Sequence, residues 1–112
     1  MKILHNPRCG KSREALKILE ENNVKLEVVK YLESPLSEEE LKSLVSKLGV
    51  EPIELVRTNE KVWKENFKGK DLSSNEIIKA MADNPILIER PVVINGDKAV
   101  IGRPPENVKS LI

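Results

Sequence analysis

The stretch from Lys2 to Tyr31, KILHNPRCGKSREALKILEENNVKLEVVKY, decides how the rest of the chain is read. It opens with a short strand, Lys2 to His5, whose apolar centre is Ile3 and Leu4. Asn6-Pro7 breaks that strand, because proline has no N–H to give and biases the residue before it away from helix. Ala15, Leu16 and Leu19 then recur at helical spacing, which predicts a helix from about Ser12 to Asn22. Asn22-Asn23 ends it, and Leu26 to Tyr31 reads as a second strand. The whole stretch is a β-α-β unit. Such units pair their strands in parallel through a right-handed crossover.

Outward from this unit the signals are mostly local. Ser37 followed by Glu40 is a capping box. Leu41, Leu44, Val45 and Leu48 give the next helix one apolar face, and Gly49 suits its C-terminal stop. Pro52 opens a short helix to about Val56. Thr58 to Asp71 is polar and ambiguous, with Val62, Trp63 and Phe67 as its candidates for burial. Ser74 is the expected cap of a helix carrying Ile77, Ile78 and Met81, and Asn84-Pro85 stops it. Pro91 to Ile94 reads as the third strand, Asn95-Gly96 as a hairpin turn and Ala99 to Ile101 as the fourth strand. Pro104-Pro105 opens a last helix with Val108, Leu111 and Ile112 on one side.

The order is β-α-β, a helical insert of about residues 36–84, then β-β-α. It predicts an α/β, thioredoxin-like fold: a four-stranded mixed sheet flanked by helices, with the insert between strands 2 and 3. The chain is read as one domain, residues 1–112. The thioredoxin arrangement places a cis proline where Arg90-Pro91 opens the third strand, so a cis bond is expected there.

Bulk composition excludes several classes. The chain has 112 residues, 39% hydrophobic and 33% charged, which fits an ordered globular domain. A net charge of +1 builds in no pull toward nucleic acid or an anionic membrane. Tyr31, Trp63 and Phe67 are the only aromatics, too few for a base-stacking surface. No apolar run approaches the roughly 20 residues that span a bilayer. The first residues turn polar too soon for a secretion signal. A single cysteine forms no internal disulfide, and one cysteine with one histidine argues against a zinc site. A cytoplasmic monomer with no bound metal or cofactor is expected.

The chemistry centres on Cys9, in the loop His5-Asn6-Pro7-Arg8-Cys9-Gly10-Lys11-Ser12-Arg13. A strand-to-helix loop sets the thiol at a helix N-terminus, where free N–H groups and the dipole favour an anion. Arg8, Lys11 and Arg13 add positive charge, and together these lower a thiol pKa. Gly10 lets a ligand approach the backbone, so the loop suits a tetrahedral oxyanion. His5 is open between a core-edge imidazole and a cation or donor that helps ionise Cys9. Ser12 stands where a dithiol motif has its second cysteine, so an outside thiol is required. Capping the helix is also open to it. Arginine is scarce, five against fourteen lysines. It is favoured where a planar fork must meet an oxyanion. Arg57, Arg90 and Arg103 lie at element edges that this fold brings toward the first loop.

His5-Asn6-Pro7-Arg8-Cys9 through Ser12-Arg13, Arg57, Asn84-Pro85-Ile86-Leu87-Ile88-Glu89-Arg90-Pro91 and Gly102-Arg103-Pro104 resemble the glutathione- and glutaredoxin-coupled arsenate reductases. The likeness covers nearly the whole chain. It is greatest for the short bacterial members, which end soon after an R-P-P-E segment. The resemblance implies that Cys9 attacks arsenate, and that Arg57, Arg90 and Arg103 bind its oxygens. His5 and Ser12 would sustain the thiolate. Glutathione and glutaredoxin would be the external reductants. Two other readings share the fold: a regulator similar to the Spx proteins, which bind RNA polymerase, and a glutathione-linked thiol oxidoreductase of another substrate. The first usually carries a Cys-x-x-Cys switch, which Ser12 removes. The second has no need of three arginines.

Overall fold

The computed structural model describes all of residues 1–112. The chain divides into two compact units, Met1–Ser34 with Arg90–Ile112, and Pro35–Glu89.

The first unit holds the sheet. Strands β1 (Lys2–Leu4), β2 (Glu27–Val29), β3 (Val92–Asn95) and β4 (Lys98–Ile101) lie in the order β2-β1-β3-β4. β1 pairs with β2 in parallel and with β3 antiparallel, and β3 and β4 form an antiparallel hairpin. This is the mixed thioredoxin-like sheet expected from the element order. Helix α1 (Gly10–Glu21) and a C-terminal 3₁₀ helix, Pro105–Leu111, pack against each other. Ile3, Ala15, Leu19, Val93 and Val108 form their shared core, all fully buried. Burying each of the larger side chains stabilises by roughly 1.5–3 kcal/mol.

The boundaries differ from the sequence reading in instructive ways. The helix after the first strand starts at Gly10, not Ser12, because Cys9 itself is the N-cap residue. The second strand keeps only Glu27–Val29 of the expected Leu26 to Tyr31. The last helix is 3₁₀ rather than α. In the hairpin Asn95 pairs with Lys98, so the loop is Gly96-Asp97. Gly96 takes the positive φ of 63° there, which its missing Cβ permits. The expected cis bond at Arg90-Pro91 is present, and Arg103-Pro104 is also cis.

The second unit is helical: α2 (Glu38–Leu48), a 3₁₀ turn at Pro52–Leu55, α3 (Lys61–Asn66), α4 (Ser74–Asp83) and a 3₁₀ turn at Pro85–Leu87. Ser37 and Glu40 make the capping box reciprocally, and Gly49 ends α2 at φ 68°. Helix α4 is capped by Ser73 rather than Ser74, again with a box, to Glu76. It packs on α2 and on both 3₁₀ turns. The ambiguous stretch resolves into α3, whose Trp63 is buried and stacks on Phe67 at 5.4 Å. A lone antiparallel bridge joins Val56 to Ile88. No helix is long and apolar enough to cross a membrane.

Candidate active site

The loop between β1 and α1 is tied by its own polar groups. The Asn6 carbonyl accepts from the Cys9 N–H at 3.0 Å, and the Asn6 Oδ1 accepts from the Arg8 N–H at 3.0 Å. The Asn6 N–H donates to the Ser12 Oγ at 3.1 Å. That hydroxyl also bonds His5 Nδ1 at 2.6 Å. His5, Asn6 and Ser12 are all buried. Arg13 closes the outside of the loop, its Nη1 donating to the Pro7 carbonyl at 2.9 Å.

These bonds present Cys9, which is partly exposed, at the mouth of α1. Burial pushes its thiol pKa up. That is outweighed by the Ser12 backbone N–H, the Arg90 side chain, the Lys11 backbone N–H and the Arg90 charge, so the thiol sits below its ordinary value. Arg103 completes the cationic side. Its Nη2 lies 3.6 Å from the Cys9 Sγ and its Nε donates to the Arg90 carbonyl at 2.7 Å. Two guanidiniums and two helix N–H groups therefore meet one sulfur. Such a site favours a thiolate nucleophile and gathers the oxygens of an anion bound beside it.

The other expected site residues fare differently. The thiolate is met by the backbone of Ser12, while its hydroxyl faces inward to His5 and Asn6. The imidazole of His5 is held below its usual pKa by burial, then by Lys30 and Arg13, against a smaller opposite pull from Glu20. His5 braces the loop through its hydrogen bond to the Ser12 hydroxyl. Gly10 is exposed, and a Cβ there would meet only Arg13 Nη2 at 3.8 Å, so local packing does not demand glycine. Arg57 belongs to the helical unit, where its guanidinium is held by Glu60 at 2.6 Å and Glu89 at 3.6 Å. One residue escaped the sequence reading as part of the site, Asn6, whose groups tie the loop. The signal for Asn6 was available: asparagine before proline readily bonds the backbone two residues on. No group of three or more His, Cys, Asp or Glu side chains is placed to hold a metal ion.

The family model of the ArsC family matches residues 4–111, nearly the whole chain. The chain belongs to the ArsC family. It is similar to the uncharacterised protein YfgD of Escherichia coli K12, with 49% identity covering 100% of this chain and 96% of that one. The arsenate reductase of Haemophilus influenzae is 45% identical over 98% of this chain and 97% of its own. Among solved structures, the arsenate reductase from Vibrio cholerae superposes with a TM-score of 0.94 at 43% identity, covering 100% of this chain and 98% of that one. This chain spans nearly the whole length of each of these relatives, and the family model takes in the helical unit and all of the sheet except the first two residues of β1.

Proposed function

We propose that this chain reduces arsenate to arsenite, with Cys9 as nucleophile and glutathione and glutaredoxin as the external reductants. The observation that carries the reading is the sulfur of Cys9 at a helix mouth, with Arg103 at 3.6 Å and the Arg90 side chain bonded to it. The thiolate forms a bond to arsenic(V), and one arsenate oxygen leaves as water after taking up protons. Arg90 and Arg103 neutralise the charge that the remaining oxygens carry. Glutathione attacks the adduct, and glutaredoxin resolves the mixed species. Arsenic leaves as arsenite, two electrons richer, and two thiol sulfurs are joined as a disulfide. The external thiol is needed because the chain has one cysteine.

His5 and Ser12 serve by bracing the loop. The assignments of Gly10 and Arg57 to substrate rest on the motif. A thiol kept ready for exchange suits the reducing cytoplasm, and the enzyme is read as a monomeric single domain there. The test is turnover of arsenate by the purified protein with glutathione, glutaredoxin, glutathione reductase and NADPH, followed by NADPH oxidation. The wild-type chain is expected to turn over and Cys9→Ser to be inactive. Equal rates in the two would refute the reading.

A further inference from the structure

The two arginine-bearing segments leave the β3–β4 hairpin side by side. Val92 faces Ile101. Carried one step past the strands, this register sets Pro91 against Gly102, and one step further Arg90 against Arg103. The hydrogen bonds agree: the Gly102 N–H donates to the Pro91 carbonyl at 2.8 Å, and Arg103 Nε reaches the Arg90 carbonyl.

Gly102 is buried, and it is not among the glycines with positive φ, so backbone conformation does not require a glycine here. Space does. A Cβ at this position would lie 2.8 Å from Pro91 Cγ and 3.2 Å from Val108 Cγ1. Neither neighbour yields easily. The Pro91 ring is fixed to its own backbone, and Val108 is fully buried in the core. Cores resist added volume.

We propose that Gly102 is a positioning residue for the thiol site: its missing side chain lets the end of β4 close on Pro91, and that approach aims Arg90 and Arg103 at the Cys9 sulfur. A methyl group at 102 displaces Pro91 or the chain that carries Arg103. Either movement reaches a guanidinium within one residue. The Arg103 contact to sulfur, at 3.6 Å, has little slack before it is lost. The proposal deepens the reading above, on which its kinetic arm rests, while its thiol arm needs no substrate.

The experiment compares wild type, Gly102→Ala, the double variant Gly102→Ala with Val108→Ala, and Leu19→Ala. The double variant removes the nearer Val108 methyls and leaves the Pro91 clash. Leu19→Ala is a core-cavity control at a fully buried residue of α1. Folding is checked by circular dichroism and urea melts. The rate of Cys9 alkylation by iodoacetamide is then followed against pH, and kcat/KM for arsenate is measured in the coupled assay. Gly102→Ala is expected to move the alkylation profile to higher pH and to lower kcat/KM by up to about 100-fold, as misplacement near 1 Å does. Leu19→Ala should lose stability with an unchanged profile. Folded 102 variants with a wild-type alkylation profile would overturn the proposal. So would failure of both 102 variants to fold, which would make Gly102 a requirement of the fold alone. Absence of arsenate turnover in wild type would overturn the functional reading instead, with the alkylation comparison still deciding the role of Gly102.

Discussion

Ser12→Ala removes one oxygen on which two buried groups depend. In the native loop the Ser12 hydroxyl accepts from the Asn6 N–H at 3.1 Å and bonds His5 Nδ1 at 2.6 Å. Ser12 is fully buried, and His5 and Asn6 are nearly so, so water does not replace the lost partner. Leaving one buried polar group unsatisfied costs about 1–3 kcal/mol. Two such groups give roughly 2–6 kcal/mol, and alanine returns about half a kcal/mol through its better helix propensity. The expected net loss is therefore about 1.5–5.5 kcal/mol. Against a total of about 5–15 kcal/mol for a typical domain, the variant should fold but melt early. Urea unfolding followed by circular dichroism measures this, with Ser43→Ala on the exposed face of α2 as the comparison. A surface change of that kind should stay within about 0.5 kcal/mol. A Ser12→Ala midpoint matching that of Ser43→Ala would show that the hydroxyl bridges nothing of consequence, and the argument for a braced loop would fail.

Two further outcomes follow from the same geometry. Because burial holds the His5 pKa below 6.5, the unfolded chain takes up a proton before the folded one as pH falls. This contribution is intact above pH 6.5 and is lost as pH falls through the folded value, so stability should decline with acidification. His5→Gln should flatten that part of a stability–pH curve in urea melts, and an unchanged slope would count against the buried neutral imidazole. For oxyanion binding, Arg90→Ala should weaken arsenate or sulfate affinity about tenfold or more, as loss of a charge-assisted bond does, while exposed Lys98→Ala changes it little. Equal effects in a calorimetric titration would point to general charge rather than a built pocket.

Local signals were read well from the sequence, and distant ones were not. Ser37 with Glu40, and Gly49 at the end of α2, declare themselves within a few residues, so the structure repeats the expectation. Ser73 took the cap expected of Ser74 because the two serines compete one position apart. Only Ser73 has a glutamate three residues on, at Glu76. The hairpin was legible, but its register fell one residue later, with glycine first in the loop. The place of Cys9 at a helix mouth was legible because its immediate neighbours build that mouth. That the hydroxyl of Ser12 turns inward, and that the pKa of His5 is lowered, depends on what buries them, which no local pattern encodes. The exclusion of any side chain at Gly102 is of the same kind, since Pro91 and Val108 set it from elsewhere in the chain.

Cys9 and Arg103 stand 94 positions apart in the chain. During synthesis the sulfur emerges 94 residues ahead of the guanidinium, so through that interval the thiol lacks the cationic side of its site. The Arg90 and Arg103 contacts to the sulfur form only once β3 and β4 are in place. Alkylation kinetics on ribosome-bound or refolding chains would thus report the moment at which the C-terminal hairpin docks.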